Sequence, residues 1–368
     1  MKVITVIGTR PEAIKMAPVI KKLESDDNIK SVLCVTAQHR EMLDQVLDLF
    51  DLKPEYDLNI MKSNQTIGMI TSSVINGIGE VIEKEKPTIV LVHGDTTTTF
   101  ASALASFYQQ CPIGHVEAGL RSFNKYSPYP EEMNRVLTGH LCDMHFAPTE
   151  KNKQNLLNEG IKEDSIFVTG NTVIDALLDI SKRKYSFENE TLMNMDFKNK
   201  KVITVTCHRR ENLGENMNEI FLAIRDIATE FEDVEIVYPL HLNPKVRDIA
   251  NKILKDITNI HLIEPLKYQE FVNLMDKSYL ILTDSGGMQE EAPSLGKPVL
   301  VVRKETERPE AVQAGTALLA GVNRENIYNA LKQLIVDKDH YTKMAKAVNP
   351  YGDGHASERI IDYLKQRF

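Results

Sequence analysis

Cysteine is scarce in this sequence, and long apolar runs are missing. The chain has 368 residues but only four cysteines, which lie far apart and form no CxxC pair: Cys34, Cys111, Cys142 and Cys207. Such spacing predicts small buried thiols in a reducing compartment. No stretch approaches the roughly 18 apolar residues that a membrane-spanning helix needs, and the apolar run at the N-terminus is too short for a signal-peptide core. We therefore expect a cytoplasmic protein with no membrane partner.

Positive charge is also in short supply. The 44 lysines and arginines are outnumbered by 52 aspartates and glutamates, which gives a formal net charge of −8. This balance argues against a broad surface for nucleic acid or for anionic membranes. A small anionic ligand is still compatible, because a few arginines and helix N-termini can form a local positive pocket. The length, with 42% hydrophobic and 26% charged residues, predicts a globular chain of two domains.

What the sequence does contain is an alternation of short β-branched runs and helical patterns. In the first half we predict strands at 3–7, 31–36, 88–92, 113–116, 144–147 and 166–169, and helices at 11–24, 39–50, 66–84 and 97–109. In the second half we predict strands at 202–206, 234–238, 260–263, 279–283 and 298–302, and helices at 216–231, 244–255, 268–277 and 287–295. Apolar runs without clean alternation suit strands that are buried on both faces of a parallel sheet. The βαβα order therefore predicts an α/β chain with doubly wound sheets.

The polar, aperiodic stretch 184–200 is the best domain boundary. We therefore predict a first Rossmann-like domain at 1–183 and a second at 184–354. The segment 349–354 breaks the chain before a last amphipathic helix at 355–368, whose apolar face we expect to cross back onto the first domain. Two such domains would face each other across a cleft at the carboxyl ends of their strands, where open α/β sheets bind ligands.

Two cations follow the first predicted strand, in the segment GTRPEAIK at 8–15. A doubly wound domain holds phosphate at this place, but the segment has one glycine and lacks the GxGxxG fingerprint of dinucleotide binding. Arg10 and Lys15 either supply charge-assisted hydrogen bonds to a diphosphate or are solvated cations of a plain turn. This segment alone leaves both interpretations open.

Three acidic residues lie at predicted strand ends or at the start of a helix. Asp95 ends a buried strand in HGDTTTT, Glu117 does so in HVEAGLRS, and Glu131 opens the helix after SPYP. Carboxylates at neighbouring strand ends are the usual equipment for general acid–base catalysis. The structural alternatives are a helix cap in HGDTTTT, since Asp and Thr are both good N-cap residues, and an ion pair between Glu117 and Arg121. For Glu131 the alternative is a carboxylate that stabilises the helix dipole. The two histidines of these segments also permit a metal site, but no spacing is diagnostic of one.

The second predicted domain repeats this arrangement with different residues. His208 follows its first strand in CHRREN and is a candidate acid–base group near neutral pH. The segment TDSGGMQEE then places Ser-Gly-Gly at 285–287 between a strand and a helix, which is the pattern of a phosphate cradle. Glu291 lies one to two turns further on, within reach of ribose hydroxyls, and Arg308 lies in the loop after the next strand. The alternative is an ordinary helix entry turn.

Taken together, seven ordered segments resemble the non-hydrolysing UDP-N-acetylglucosamine 2-epimerases. The segments are GTRPEAIKMAP, QHREMLDQV, HGDTTTT, HVEAGLRS with SPYPEEMNR, CHRREN, TDSGGMQEEAPSLGKPV and TERPEAVQAGT. The resemblance runs from Gly8 to about Arg359. It implies a glycosyltransferase-B-type fold of two Rossmann-like domains facing each other across a cleft. It also implies the interconversion of UDP-N-acetylglucosamine and UDP-N-acetylmannosamine.

The resemblance implies roles for particular residues as well. Catalytic positions of the family are matched by Asp95, Glu117, Glu131 and His208. Substrate-binding positions are matched by Arg10, Lys15, Phe271 against the uracil, Ser285, Gly286, Gly287, Glu291 at the ribose, and Arg308. Leu266 stands where some relatives have a polar residue near the base.

The implied chemistry explains why residues of these types are needed. The C2 proton of the sugar is not α to a carbonyl, so the family eliminates UDP first, giving 2-acetamidoglucal, and then re-adds UDP with a proton on the other face. Elimination needs a base and stabilisation of the leaving group, and re-addition needs an acid. The resemblance requires neither NAD nor a metal ion. It implies a homodimer that supplies N-acetylmannosamine for cell-wall or other surface polysaccharide.

Many bacterial members of this family bind a second UDP-N-acetylglucosamine as an allosteric activator. Gln38, Arg209 and His241 match that region, whereas Glu41 and Asn64 stand where glutamine and arginine are expected. Three alternative functions remain: a hydrolysing epimerase, a glycosyltransferase of the same fold that needs an acceptor, and a non-catalytic UDP-sugar sensor. The three carboxylates argue against the sensor.

Overall fold

The chain folds into two units, each built on one parallel sheet. A computed structural model describes residues 1–37, 40–62 and 64–368. One unit comprises Met1–Ala176 with Tyr351–Phe368, and the other comprises Leu177–Pro350. No helix in the described ranges is both long enough and apolar enough to span a membrane.

The first unit contains a seven-stranded sheet in the order β3-β2-β1-β4-β5-β6-β7, with all pairs parallel. Its strands are β1 (Lys2–Ile7), β2 (Lys30–Val35), β3 (Tyr56–Asp57), β4 (Ile89–His93), β5 (Ile113–Val116), β6 (Met144–Ala147) and β7 (Ile166–Val168). Its helices are α1 (Arg10–Glu24), α2 (Arg40–Leu49), α3 (Ile67–Glu85), α4 (Thr97–Tyr108), α5 (Glu131–Leu141), α6 (Glu150–Asn158) and α7 (Thr172–Lys182), which spans the division between the units. The strand order reverses between β1 and β4, so the loops after these strands open side by side at a topological switch point.

The second unit contains a six-stranded parallel sheet in the order β10-β9-β8-β11-β12-β13. In chain order its elements are α8 (Glu190–Met193), β8 (Lys201–Thr206), α9 (Glu215–Glu230), β9 (Val234–Pro239), α10 (Pro244–Leu254), β10 (Ile260–Ile263), α11 (Tyr268–Lys277), β11 (Leu280–Thr283), α12 (Gly286–Glu291), β12 (Val299–Val301), α13 (Pro309–Gln313), β13 (Ala317–Leu319), α14 (Arg324–Val336) and α15 (Lys338–Ala345). Its switch point lies between the neighbouring strands β8 and β11.

The two doubly wound sheets confirm the predicted α/β fold class. Every predicted strand overlaps an observed one, because the central strands are buried on both faces and read as continuous apolar runs. Sequence reasoning missed β3 and β13, which lie at sheet edges and have two and three residues.

The last helix, α16 (Ala356–Arg367), packs on α1 in the first unit. Its first turn is held by the buried carboxylate of Asp175, which accepts hydrogen bonds from Ser357 N at 2.8 Å and Ala356 N at 3.2 Å. A carboxylate at this place satisfies free N–H groups and stabilises the helix dipole. The division between the units falls within α7, earlier than the boundary predicted at 183/184.

Candidate active site

In the first unit, Glu12 connects the loop after β1 with the loop after β4. Glu12 is only 2% exposed, and one carboxylate oxygen accepts hydrogen bonds from Gly8 N at 3.0 Å and Thr9 Oγ1 at 2.7 Å. The other oxygen accepts from Thr96 Oγ1 at 2.8 Å and Thr99 Oγ1 at 3.2 Å. A buried carboxylate is stable only when its oxygens are satisfied in this way, so the two loops are fixed to each other.

These two loops carry Arg10 and Asp95. Asp95 Oδ2 accepts a hydrogen bond from Arg135 Nε at 2.9 Å and forms an ion pair with Nη2 at 2.7 Å. The cap of α4 is Thr96, whose hydroxyl accepts from Thr99 N. The helix cap expected in this segment is therefore confirmed at Thr96, and Asp95 is not the cap. Arg10 is half-buried and makes no hydrogen bond or ion pair to any other described residue. Its guanidinium is therefore available to an anionic ligand.

Glu117 lies directly after β5 in a strained conformation. Its φ is +63°, and a non-glycine residue in this left-handed region is characteristic of functional sites. Lys15 donates a hydrogen bond to Glu117 Oε2, and His93 Nε2 lies 3.4 Å from the same oxygen. Burial raises the pKa of Glu117, but the Lys15 ammonium and His93 outweigh it and hold the pKa well below its usual range. Glu117 is therefore an ionised carboxylate at neutral pH.

The ion pair proposed from sequence between Glu117 and Arg121 does not form. Arg121 instead makes two hydrogen bonds of 2.7 Å to the carboxylate of Glu159. His115 is a structural histidine, because burial lowers its pKa to about 3 and its Nε2 lies 2.7 Å from Gly94 O. Across the ranges that the structure describes, no group of three or more His, Cys, Asp or Glu side chains is arranged to hold a metal ion.

Glu131 begins α5, with its Oε2 buried and without a hydrogen-bond partner in the described parts of the chain. An unsatisfied buried carboxylate oxygen is costly, which favours a role at a substrate over a purely structural one. The next residue, Glu132, behaves differently. Its carboxylate accepts hydrogen bonds from Ser122 N at 2.9 Å and Phe123 N at 2.8 Å, which ties the loop before α5 to that helix.

In the second unit, Asp284 organises the loop after β8. It is fully buried, and its Oδ2 accepts hydrogen bonds from His208 N at 2.9 Å, Arg209 N at 2.8 Å and Asn212 Nδ2 at 3.0 Å. The Cys207 thiol also donates to Oδ2, at 3.3 Å. One carboxylate at the end of β11 therefore fixes the whole CHRREN loop beside the Ser-Gly-Gly turn.

His208 lines a pocket of about 490 Å³ within the second unit. The pocket is also lined by Phe271, Leu266 and Ser285, and His241 stacks on His208 with ring centroids 5.0 Å apart. Burial lowers the pKa of His208, although Asp284 partly opposes this. An apolar, aromatic wall beside polar groups at a sheet edge is typical of a site for a planar base.

Two arginines approach the Ser-Gly-Gly turn that opens α12. A methyl group on Gly286 would lie 3.7 Å from Arg209 Nη2 and 3.9 Å from the Arg308 guanidinium. Glu291 Oε1 lies 3.1 Å from where a methyl on Gly287 would be, and Arg308 also binds the carboxylate of Glu290. Glycine at 286 thus leaves open space in front of two guanidinium groups, which suits a phosphate group.

The structure therefore gathers the candidate residues into two sets, one in each unit. Of the residues predicted for an allosteric site, Arg209 and His241 lie beside the candidate substrate residues of the second unit. Asn64 is exposed, with φ at +58°. Gln38 and the side chain of Glu41 lie outside the described residues.

Sequence reasoning missed three residues that hold these sets together: Glu12, Arg135 and Asp284. Each lies inside a segment that the sequence singled out, GTRPEAIK, PEEMNR and TDSGG. Their positions inside these segments were the available signal. Their burial and their hydrogen-bond partners depend on the fold and could not be predicted from the sequence pattern.

Two Rossmann-like units, one bearing carboxylates and the other an arginine-flanked glycine turn, define a nucleotide-sugar enzyme with a glycosyltransferase-B-type fold. The family model described as UDP-N-acetylglucosamine 2-epimerase matches residues 21–365. The chain therefore belongs to the UDP-N-acetylglucosamine 2-epimerase family of enzymes.

Individual relatives agree with this assignment. The UDP-N-acetylglucosamine 2-epimerase of Bacillus subtilis is 59% identical over 364 residues, which is 99% of this chain and 95% of the relative. The enzyme of Escherichia coli K12 is 55% identical over 370 residues, 99% of this chain and 98% of the relative. The crystal structure of the Neisseria meningitidis enzyme bound to UDP-GlcNAc has 54% sequence identity and a TM-score of 0.85, and the match covers 100% of both chains.

Proposed function

We propose that the protein interconverts UDP-N-acetylglucosamine and UDP-N-acetylmannosamine without hydrolysis. The observation that carries this proposal is Glu117, a carboxylate whose side chain is only 13% exposed and which Lys15 holds ionised on a strained backbone. A group that exchanges a proton with carbon must be positioned and desolvated in this way. A protein that only binds a UDP-sugar has no use for such a residue.

In the proposed reaction a carboxylate removes the C2 proton and the C1–O bond to UDP breaks. The electron pair of the C–H bond forms the C1–C2 double bond of 2-acetamidoglucal, and UDP departs with the C–O pair. A protonated carboxyl group then delivers a proton to the opposite face of C2 while a UDP oxygen re-forms the bond to C1. Asp95, Glu117 and Glu131 are the proton-transfer candidates, and His208 assists at the diphosphate.

The second unit is proposed to hold UDP. Phe271 lies against the uracil, Glu291 accepts from the ribose hydroxyls, and the turn at 285–287 with Arg308 holds the diphosphate. The pocket of about 490 Å³ and the two guanidinium groups near Gly286 support these roles. Arg10 is proposed to stabilise the leaving UDP from the first unit, because its charge has no partner among the described residues.

A single isotope experiment separates the candidate functions. The protein is incubated with UDP-N-acetylglucosamine in D2O and followed by NMR. We expect deuterium at C2 of both epimers with no accumulation of free UDP. Stoichiometric release of UDP would identify a hydrolysing epimerase, transfer only with an added acceptor would identify a glycosyltransferase, and binding without exchange would identify a sensor.

We also propose that the protein acts as a homodimer. The helices α3, α4 and α5 pack on one another in the first unit and expose large apolar side chains, namely Met69, Phe107, Tyr108 and Leu137. Such side chains on adjacent helices are typical of an association surface. Light scattering after gel filtration is expected to give twice the mass of one chain, and the mass of one chain would contradict the proposal.

We also propose a cellular role for the enzyme and a mode of regulation. The enzyme would act in the cytoplasm and supply N-acetylmannosamine units for cell-wall or other surface polysaccharide. A second UDP-N-acetylglucosamine would activate it through Arg209 and His241, which lie at the edge of the nucleotide pocket. Activation predicts a sigmoidal rate curve for UDP-N-acetylmannosamine that becomes hyperbolic when UDP-N-acetylglucosamine is added, and a hyperbolic curve in both conditions would contradict it.

A further inference from the structure

Asp95 is held by Arg135 through Oδ2. Arg135 Nε donates to Oδ2 at 2.9 Å, and Nη2 of the same guanidinium lies 2.7 Å from that oxygen. Asn134 Nδ2 donates to the backbone oxygen of Asp95 at 2.9 Å. No other described residue donates a hydrogen bond to Oδ1. The side chain of Asp95 is 27% exposed, whereas that of Arg135 is 12% exposed. The carboxylate is therefore fixed through Oδ2, while Oδ1 has no donor in the part of the chain that the structure describes.

Arg135 is itself fixed by a second carboxylate. Its Nη1 lies 3.0 Å from Glu132 Oε2, and Glu132 is only 3% exposed. Burial raises the pKa of Glu132, but the N–H groups of Ser122 and Phe123 together with Arg135 outweigh it and leave the pKa below its usual value. Glu132 is thus ionised at neutral pH and holds both the arginine and the loop before α5.

We propose that Arg135 is a positioning residue for the epimerisation, which orients Asp95 so that Oδ1 meets the sugar, and that Glu132 holds Arg135 in place. This inference rests on the proposed function, in which Asp95 exchanges protons with the substrate. The planar guanidinium holds Nε and Nη2 against the same oxygen in a fixed arrangement, so it restricts the orientation of the carboxylate more than a lysine would. Proton transfer to carbon depends on such alignment, and a displacement of roughly 1 Å can lower the rate by about 100-fold.

The test measures kcat and KM separately in Arg135→Ala, Arg135→Lys and Glu132→Gln. In Arg135→Ala we expect kcat to fall by about 100-fold. KM for UDP-N-acetylglucosamine should stay unchanged, because the Arg135–Asp95 pair contacts none of the residues proposed to bind UDP. Added methylguanidinium should restore part of kcat by occupying the space of the lost side chain. Arg135→Lys and Glu132→Gln should show smaller losses of kcat.

The matched control is Arg121→Ala, which removes another buried arginine of the same unit. Arg121 pairs with Glu159 at 2.7 Å and its side chain is 1% exposed. This variant should unfold at a lower temperature, keep the kcat of the folded protein, and show no response to methylguanidinium. A similar response to methylguanidinium in both variants would show that the effect at Arg135 is only structural and would overturn the proposal.

Asp95→Asn separates this inference from the proposed function. Wild-type turnover in Asp95→Asn would remove Asp95 from the proton-transfer set. Loss of turnover there, combined with wild-type kcat in Arg135→Ala, would contradict the positioning role alone. If Arg135→Ala does not fold, Arg135→Lys and Glu132→Gln test the positioning role in its place. Unchanged kcat in both variants would overturn the role of Arg135.

Discussion

His208 and His241 stack on each other in the second unit, with ring centroids 5.0 Å apart and an interplanar angle of 10°. The family resemblance gives these two histidines different roles, one at the reaction and one at a regulatory site. Their contact means that a change at either ring alters the surroundings of the other. A ligand that contacts His241 can therefore influence His208.

The first prediction concerns this stack. Burial lowers the pKa of His208, and His241 lowers it further. His241→Ala should expose His208 and remove the neighbouring ring that lowers its pKa, so the pKa of His208 should rise toward its usual value. An NMR titration of the His208 C2 proton measures this directly, with His261→Ala as the control in the same unit. An unchanged titration in His241→Ala would contradict the proposed coupling.

The second prediction concerns Lys15. Removing its ammonium in Lys15→Met leaves only His93 to oppose the rise in pKa that burial causes at Glu117. The loss of a close opposite charge typically raises a carboxyl pKa by about one to three. The acidic limb of kcat/KM should therefore move to higher pH. Lys21→Met, on the exposed side of the same helix, is the control and should leave the profile unchanged. An unshifted acidic limb in Lys15→Met would show that Glu117 does not govern it.

The same pair affects stability. Because folding lowers the pKa of Glu117, its ionised form contributes to the free energy of unfolding above the unfolded-state pKa of about 4.3. That contribution is lost as the pH falls through the lower, folded-state pKa. Lys15→Met should therefore flatten the dependence of stability on pH in the acidic range.

The third prediction concerns Asp284. Asp284→Asn loses the charge that four donors of the CHRREN loop share. We expect the free energy of unfolding to fall by about 1–3 kcal/mol and the affinity for UDP to fall with it, as measured by denaturant titration and calorimetry. Asp256→Asn changes an exposed aspartate of the same unit and should change neither quantity. Wild-type UDP affinity in Asp284→Asn would mean that the loop does not need this anchor.

The fourth prediction concerns the glycine turn. In Gly286→Ala the methyl group makes only ordinary contacts with the two arginines, so the fold should be retained. The methyl would occupy the space proposed for phosphate, and we expect the Kd for UDP to rise about tenfold, which corresponds to roughly 1.4 kcal/mol. Gly79→Ala makes the same change on α3, 3.8 Å from its nearest neighbour, and should not affect UDP binding. Unchanged binding by Gly286→Ala would move the diphosphate away from this turn.

The sequence predicted the central strands well for a physical reason. Strands such as β4 and β11 are buried on both faces, so they appear as uninterrupted apolar runs. The loops that follow them were predicted to carry the site, because ligands bind at the carboxyl ends of parallel strands. Short edge strands such as β3 gave no such signal.

The ionic partners of the candidate residues could not be predicted from the sequence. Arg121 lies four residues after Glu117, yet it pairs with Glu159. Glu117 instead pairs with Lys15, from a helix that is distant in the sequence. Which charges meet is decided by the order of strands in the sheet and by burial, and neither can be read from spacing. For the same reason the sequence did not indicate that Asp284 binds the loop that carries His208.

In the proposed function the carboxylates of the first unit perform the proton transfers while the second unit holds UDP. The decisive experiment measures the turnover of UDP-N-acetylglucosamine by Glu117→Gln and its Kd for UDP on one preparation. We predict that turnover falls by at least about 100-fold, the usual contribution of a general acid–base group, and that the Kd for UDP is unchanged. Wild-type turnover, or a loss of UDP binding equal to the loss of turnover, would contradict the account.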